Sequence, residues 1–435
     1  MDFYIEKEKK LPVIDEVDVL VLGGGPAGFG AAVSAGREGA KTMLIEQTAD
    51  IGGVATTGLM SHWTGKTQGG IYNEILEKTF NMHNKELSNE MVLDKVIIDH
   101  ETLKTKMLEM LEEAGVAIRL YTFACDVIME GNAVKGVIIE GKSGREVILA
   151  KIVIDCTGDG DIAAKAGAEY SMGREEDGLM QPMTLMVQVS GVDLSKITYV
   201  CGFEESYQVP GGDIQQLARQ HIQAPAGHVL IYPSVFPNTV TLNMTNITGV
   251  DGTKSQDLTK AYIACRKQIP EILKFLKENV PGFENAYVLK TASQIGVRET
   301  RHFKGLKTLT KQDILAARIF EDWAVAKAHF NFDVHNITGA GLDETGCQKH
   351  FKQAKHYTIP YGCFVPVKID NLLLAGRNIS GTHMAHSNYR VMPICANMGQ
   401  AVGIAAAICS SRDILPRVLD VKELQKRLME LGVAP

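Results

Sequence analysis

Arginines and histidines capable of chemistry are concentrated in a few short stretches of this chain. Arg298, Glu299, Arg301 and His302 crowd the segment GVRETRHF, Asp333 and His335 stand in FDVH, His356, Tyr357 and Tyr361 in KHYTIPYG, and His383, His386, Tyr389 and Arg390 in the run HMAHSNYR. A guanidinium presents a planar fork of donors that matches a carboxylate, and a histidine changes charge near neutral pH. Arg298, Arg301 and Arg390 are therefore expected to clamp a small polar or anionic substrate. His383 is the first choice for acid-base work, with His386 and Tyr361 behind it. A purely structural Arg-Glu pair is the competing reading of GVRETRHF, and Asp333 and His335 share a face only if their segment is extended.

A second kind of chemistry is written in glycine. Val17 to Leu22 is a short apolar run that passes directly into Gly23, Gly25 and Gly28 in the order G-x-G-x-x-G, with Pro26 and Ala27 inside the turn. Gly23 permits the turn, Gly25 lets the backbone approach a pyrophosphate, and Gly28 lets helix and strand pack closely, so that the phosphates face the N-H groups of a helix N-terminus. Thr42 to Ile45 is a second apolar run and ends on Glu46, about 20 residues past the glycines, where an acid can bind a ribose hydroxyl. Strand, glycine turn, helix, strand and acid in that order predict a dinucleotide site.

Several elements must position these groups. The loop QTADIGGVATTGLMSHWTG carries Gly52, Gly53 and Val54, where backbone can come close to the dinucleotide, and then His62 and Trp63; a satisfied core or surface position is the plainer reading of His62. Leu103, Met107, Met110 and Leu111 at helical spacing predict a helix between Asp99 and Gly115. Strands are expected at 116–121, 124–130, 134–140 and 146–150. Ile152 to Asp155 then runs into Thr157, Gly158, Asp159, Gly160 and Asp161, and Asp161 can meet a ligand, cap a helix, or do both. Near the C-terminus Leu372 to Ala375 ends on Gly376 and Arg377, and a helix is expected from Pro393 to Cys409. Ala396, Gly399, Gly403 and Ala406 leave that helix a smooth face for a sheet or a flat cofactor, and Met398 lies within it. Between 181 and 360 the rhythm changes to strands at 183–189, 228–232, 239–245 and 286–295, with a helix from Leu258 to Glu278 that Pro270 should kink or divide. That reads as a mixed, largely antiparallel domain inserted into the first.

Bulk properties narrow the class. At 435 residues the chain exceeds one typical domain, and 45% hydrophobic with 22% charged residues describes a globular protein. A net charge of -6 gives no basic footprint for nucleic acid. No apolar run long enough to span a bilayer and no secretion signal are evident. The eight cysteines form no C-x-x-C pair and no metal-ligand cluster, so reduced thiols, a cytoplasmic location and no metal site are expected. A dithiol-disulfide mechanism is disfavoured.

Over nearly its whole length the chain resembles the FAD-dependent oxidoreductases of the glutathione-reductase-like superfamily, most closely the branch related to fumarate reductase flavoproteins. The resemblance rests on GGGPAG with Glu46, IGGVATTG, IDCTGDGD, and NLLLAGRNISGTH followed by RVMPICANMGQAVG, with GVRETR and FDVH also matching. It implies an α/β fold: a Rossmann-like FAD-binding domain with a parallel central sheet, split into 15–175 and 361–435, around an inserted α+β substrate domain at 176–360. It further implies non-covalent FAD, with the pyrophosphate at Gly23, Gly25 and Gly28, the adenosine ribose at Glu46, and Gly53 near the pyrophosphate. Val127 would use its backbone beside the adenine, Asp161 and Gly376 would lie near the cofactor, and the helix after Pro393 would point its N-terminus at the flavin. The catalytic arginine and histidine set of fumarate reductases does not align, so that reaction is not implied.

A second G-x-G-x-x-G between strand and helix is absent, so electrons must pass through the substrate, a redox partner protein or a transiently bound nicotinamide. The expected activity is two-electron, hydride-type oxidation or reduction of a small polar or anionic molecule at the flavin. The rivals are an electron-transfer subunit working with a partner protein and a nicotinamide dehydrogenase that uses the first motif for NAD.

Overall fold

The strand Val13–Leu22 lies inside a seven-stranded sheet, and from Val19 to Leu22 its side chains have no exposed surface. The computed structural model describes residues 4–60, 62–79, 95–346 and 353–435. Ala117–Arg119, Thr42–Ile45, Val13–Leu22 and Gly144–Asp155 are neighbours in that order, all parallel, and Leu372–Leu374 adds a further parallel pairing to Gly144–Asp155. Thr42–Ile45, Leu372–Leu374 and the ends of Val13–Leu22 and Gly144–Asp155 are buried on both faces, which is why they read as unbroken apolar runs. The two strands expected at 146–150 and 152–155 are one strand. Its first part pairs antiparallel with Ala133–Gly141, itself antiparallel to Phe123–Glu130, and its end pairs parallel with Leu372–Leu374. Leu22 is in register with both Ile45 and Asp155, and Asp155 with Leu374, so four carboxyl ends finish together. Ligands of open α/β sheets bind at that edge.

Two helices cover one another above this sheet, Pro26–Arg37 and Met392–Arg412. A Cβ on Gly399 would stand 1.9 Å from the Ala27 carbonyl oxygen, one on Gly403 2.3 Å from that of Ala31, and one on Gly30 2.3 Å from that of Ala396. The smooth face of the C-terminal helix therefore serves helix-helix contact with the glycine-rich helix, which corrects the expectation that it meets a sheet or a flat cofactor. Gly399→Ala is expected to lower the free energy of unfolding by about 1–3 kcal/mol, because neither backbone can yield; urea denaturation measures it. By length and hydropathy Met392–Arg412 passes the test for a bilayer span, contrary to the sequence expectation, yet 94% of its apolar window is buried inside the fold, as in a core helix.

A second apolar cluster gathers Leu59 and residues from Met183 to Ile295. Its antiparallel sheet runs Ile231–Pro233, Thr239–Leu242, Val187–Ser190, Tyr287–Thr291. The helix Ser255–Asn279 places Ile269, Ile272, Phe275 and Leu276 in this cluster. Pro270 does not divide it, since the apolar face on both sides of the proline is buried in one core. The helix His100–Glu113 forms as expected, capped by the Asp99 carboxylate on the Glu101 N-H.

Candidate functional site

The aligned carboxyl ends open onto a cavity of about 1590 Å³, larger than the roughly 300–1,000 Å³ of ordinary small-molecule sites. One set of wall residues comes from the parallel sheet and its loops. Gly23 turns with φ +90°, and a Cβ on Gly28 would lie 1.7 Å from the Gly23 carbonyl oxygen, so both glycines are demanded by the turn itself. Gly25 differs. Its backbone is extended (φ -66°, ψ -176°), it caps the helix Pro26–Arg37 with no side-chain acceptor, and a Cβ there would meet nothing within 4 Å. Open space in front of uncapped helix N-H groups is a seat for an anion. The loop after Glu46 folds over this seat, with a Cβ on Gly53 only 3.0 Å from the Gly25 Cα. Glu46 is buried, accepts the N-H of Gly24 (2.7 Å) and both the N-H and hydroxyl of Thr48 (2.8 Å each), and lines the cavity. With about four lone-pair sites on a carboxylate, acceptor capacity remains for a ribose hydroxyl.

Asp155 and Asp161 divide their work in a way the sequence did not predict. The fully buried Asp155 carboxylate takes the N-H groups of Thr157, Ile162 and Ala163 and so caps the helix Asp161–Lys165. Asp161 is not the cap. It faces the cavity and pairs with Arg301 at 3.0 Å, while Arg377 donates to Asp159 at 3.0 Å. Burial, followed by the charges of Asp159 and Asp155, pushes the Asp161 carboxyl up to about 6. The folded state thus binds this proton more tightly than the unfolded chain does, so its contribution to stability is present below the ordinary value of 3.8 and declines as pH rises through about 6. Comparing flavin-free parent with Asp161→Asn by denaturant unfolding is expected to show that decline in the parent alone. The side chain is one-third exposed, and screening holds the effect to about 1 kcal/mol.

The other wall belongs to the antiparallel unit and the return from it. Arg298 is buried, donates to the Pro182 carbonyl at 2.6 Å and more distantly to Asn243 (3.4 Å), and among the described residues makes no ion pair within 4 Å. Burial and then the neighbouring Arg390 lower it to about 10, so it stays charged at neutral pH. Arg390 holds the Asp333 carboxylate and carbonyl, both at 2.9 Å, and His335 approaches the same carboxylate at 3.3 Å. Asp333 and His335 therefore do meet. Burial and then Arg298 lower His335 to about 3, keeping its ring neutral. His62 lines the cavity with its ring 3.6 Å from that of Tyr232. Trp63 instead is buried and stacked on Tyr72 at 5.9 Å.

Of the residues expected to do chemistry, Arg298, Arg301 and Arg390 line this cavity, and His383, His386 and Tyr361 do not. Tyr361 donates its hydroxyl to the Pro416 carbonyl at 3.1 Å, and His383 binds Glu299 at 2.6 Å. Among the expected cofactor residues, Gly23, Gly25, Pro26, Ala27, Glu46, Gly53, Val54, Thr157, Gly158, Asp161, Gly376 and Arg377 are on its wall. Gly28 and Gly52 act in the turns behind it; Val127 and Met398 are off the wall, where Phe123 to Cys125, Met392 and Cys395 stand instead. Tyr232, Asn243, His329 and Lys66 were missed, since nothing in their spacing separates them from ordinary strand and loop residues.

A family pattern described as FAD dependent oxidoreductase matches residues 18–428. The chain is 25% identical over 286 residues to digeranylgeranylglycerophospholipid reductase 1 of Methanococcoides burtonii, covering 62% of this chain and 60% of that protein. It is 29% identical over 157 residues to digeranylgeranylglycerophospholipid reductase of Picrophilus torridus, spanning 39% of that protein and 32% of this chain. Fumarate reductase (cytochrome) of Shewanella frigidimarina matches at 38% over 91 residues, 20% of this chain and 16% of that protein. Thus the chain spans between about two-fifths and three-fifths of the first two reductases. Among solved structures, a geranylgeranyl bacteriochlorophyll reductase-like protein from Thermoplasma acidophilum aligns over 96% of this chain and 84% of its own, with 13% identity and a TM-score of 0.48. A glycine turn, an acid and a C-terminal helix end gathered on one cavity, within a pattern that runs through almost the whole sequence, establish that this chain belongs to the FAD-dependent oxidoreductase family and is an enzyme that uses FAD.

Proposed function

We propose that this enzyme oxidises or reduces a small anionic organic molecule by a two-electron, hydride-type step, and that Arg298 and Arg390 hold its carboxylate. The observation that carries this reading is Arg298: a buried, charged guanidinium on the cavity wall with no ion-pair partner among the described residues. Arg390 beside it has a buried Nε without an acceptor. Of these two neighbouring cations only Arg390 is paired, with Asp333, so an anionic substrate completes the charge balance.

In this reading FAD lies along the wall from Gly25 to Arg390. Gly23, Gly25, Gly28 and the N-terminus of Pro26–Arg37 hold the pyrophosphate, Glu46 the adenosine ribose, and Asp161, Gly376 and Arg377 flank the rest. The ends of the chain, 15–175 and 361–435, form the cofactor domain, and 176–360 is the inserted substrate domain, its apolar cluster drawn from Met183 to Ile295. FAD supplies the two-electron transfer when bound. The protein's own part is to fix the substrate carboxylate, exclude water and move one proton. Because His383, His386 and Tyr361 stand off the wall, we assign the proton to the adjoining rings of His62 and Tyr232, tilted at 32° to one another. Electrons reach or leave the flavin through a redox partner protein or a transient nicotinamide, and the free state of the seven described cysteines fits a cytoplasmic setting.

The match to a reductase named for fumarate, a dicarboxylate, agrees with a small anionic substrate; that to reductases named for a digeranylgeranylglycerophospholipid favours isoprenoid chains on an anionic headgroup. The buried arginines support an anionic group on the substrate, since without one their charge would stay unmatched. Anaerobic titration of the holoenzyme tests this: saturated carboxylates are offered to oxidised flavin and unsaturated ones to reduced flavin, with an isoprenoid chain in parallel. A change of flavin absorbance with a carboxylate is the expected result. A response to the isoprenoid alone overturns the substrate class, and a response only to partner proteins makes the chain an electron-transfer subunit.

A further inference from the structure

Four chelating side chains meet outside the cavity. Glu299 and His302 stand as E-x-x-H leading through the strand Arg301–Phe303, and His383 and His386 as H-x-x-H in the first turn of the helix His383–Tyr389. All four are interior, with exposures of 1%, 5%, 5% and 1% in that order. Glu299 Oε1 accepts from His302 Nε2 at 2.8 Å and lies 2.6 Å from His383 Nδ1, while Oε2 accepts the Gln181 N-H at 3.0 Å. The donor atoms of Glu299, His302 and His386 lie within 4.8 Å of one another, and the rings of His302 and His386 meet edge to face at 4.7 Å between centroids.

Hydrogen bonding accounts for part of this arrangement and leaves a remainder. Glu299, His302 and His383 satisfy one another around one carboxylate oxygen. The His386 ring makes no hydrogen bond to any described residue, and its Nδ1 and that of His302 are sealed from solvent without a partner. Buried polar atoms are ordinarily paired, so an unpaired imidazole converging on a carboxylate and a second imidazole calls for a ligand. An acceptor-rich set of nitrogen and carboxylate oxygen donors is what a borderline-soft divalent ion takes.

We propose that Glu299, His302 and His386 coordinate a divalent transition-metal ion, zinc foremost, with His383 as the outer partner that orients the Glu299 carboxylate. Zinc bonds of about 2.0–2.1 Å set tetrahedral donors roughly 3.4 Å apart, so none of the three separations, all within 4.8 Å, has to close by more than about 1.4 Å. Glu299 Oε1 then exchanges the His302 N-H for the metal, and that proton moves to the unpartnered His302 Nδ1, so the imidazole stays neutral. The four residues come from the strand leaving the antiparallel unit and from the segment after the last parallel strand. None of them lines the cavity. The ion therefore clamps two distant parts of the chain and stands apart from the flavin. No metal was expected from the chain, because the two pairs are separated by 84 positions from Glu299 to His383.

The test uses full-length, FAD-loaded protein made without a polyhistidine tag. Expected are about one zinc per chain by elemental analysis, visible d-d absorption on replacing zinc with cobalt(II), and a lower melting temperature after chelation with the flavin spectrum retained. His386→Asn is expected to abolish the cobalt bands, and His383→Gln to weaken metal affinity by about 10–100-fold. Metal-free protein that takes up neither zinc nor cobalt at stoichiometric concentration overturns the proposal, as does unchanged cobalt binding in His386→Asn. Should His386→Asn fail to fold, the cobalt titration of the parent and of His302→Gln decides alone.

Discussion

Gly25→Val is expected to fold and to be isolated without colour. Its backbone is extended, which any residue adopts, and a Cβ at this position meets no atom within 4 Å, so the fold has no objection to a side chain there. The new methyl groups occupy the space in front of the uncapped N-H groups of Pro26–Arg37. Losing charge-assisted hydrogen bonds to a pyrophosphate removes about 3 kcal/mol or more, at least a hundredfold in FAD affinity. Flavin absorbance after purification and circular dichroism together check it. Gly28→Ala makes the contrast: with a Cβ 1.7 Å from the Gly23 carbonyl oxygen, it is expected to fail at folding and not merely at binding. A Gly25→Val protein that stays yellow at parental stoichiometry would place the pyrophosphate elsewhere.

Arg298→Met is the second large effect. The substitution keeps an apolar stem in its slot but removes a buried cation from a group of two arginines and one aspartate. Truncating one partner of a desolvated charged contact costs about 2–5 kcal/mol, so flavin reduction or oxidation at low carboxylate concentration is expected to slow by about 30- to 5,000-fold, with the flavin spectrum unchanged. Arg298→Lys does not restore the rate, because an ammonium cannot reproduce the fork that donates to Pro182 and Asn243. Arg301→Met is expected to act weakly on substrate, since its guanidinium is already balanced by Asp161 at 3.0 Å. Anaerobic stopped-flow absorbance on the three variants separates these outcomes. Equal losses at Arg298 and Arg301 would move the anion site toward Asp161.

These contrasts depend on distinctions among residues that look alike in sequence. Three glycines of one motif divide into two that the turn requires and one that faces open space. Three arginines divide into one paired with Asp161, one paired with Asp333 and one with no ion pair among the described residues. Two aspartates six positions apart divide the work, Asp155 capping and Asp161 facing the cavity.

What the sequence determined alone was everything written locally. The glycine turn, the strands around it and Glu46 follow from contiguous residues whose spacing reports a helix, a strand or a turn, and the cofactor class followed from four such blocks. Side-chain roles in the substrate region were not legible, because they depend on contacts between remote segments. Burial of His383 against Glu299, 84 positions away, takes it off the cavity wall, and pairing of antiparallel strands brings Tyr232 and Asn243 onto it. The same holds for the small-residue face of Met392–Arg412, whose glycines announce close packing without saying against what. Period and propensity act over a few residues, whereas which charge is neutralised, and which face is covered, is settled only when the chain closes on itself.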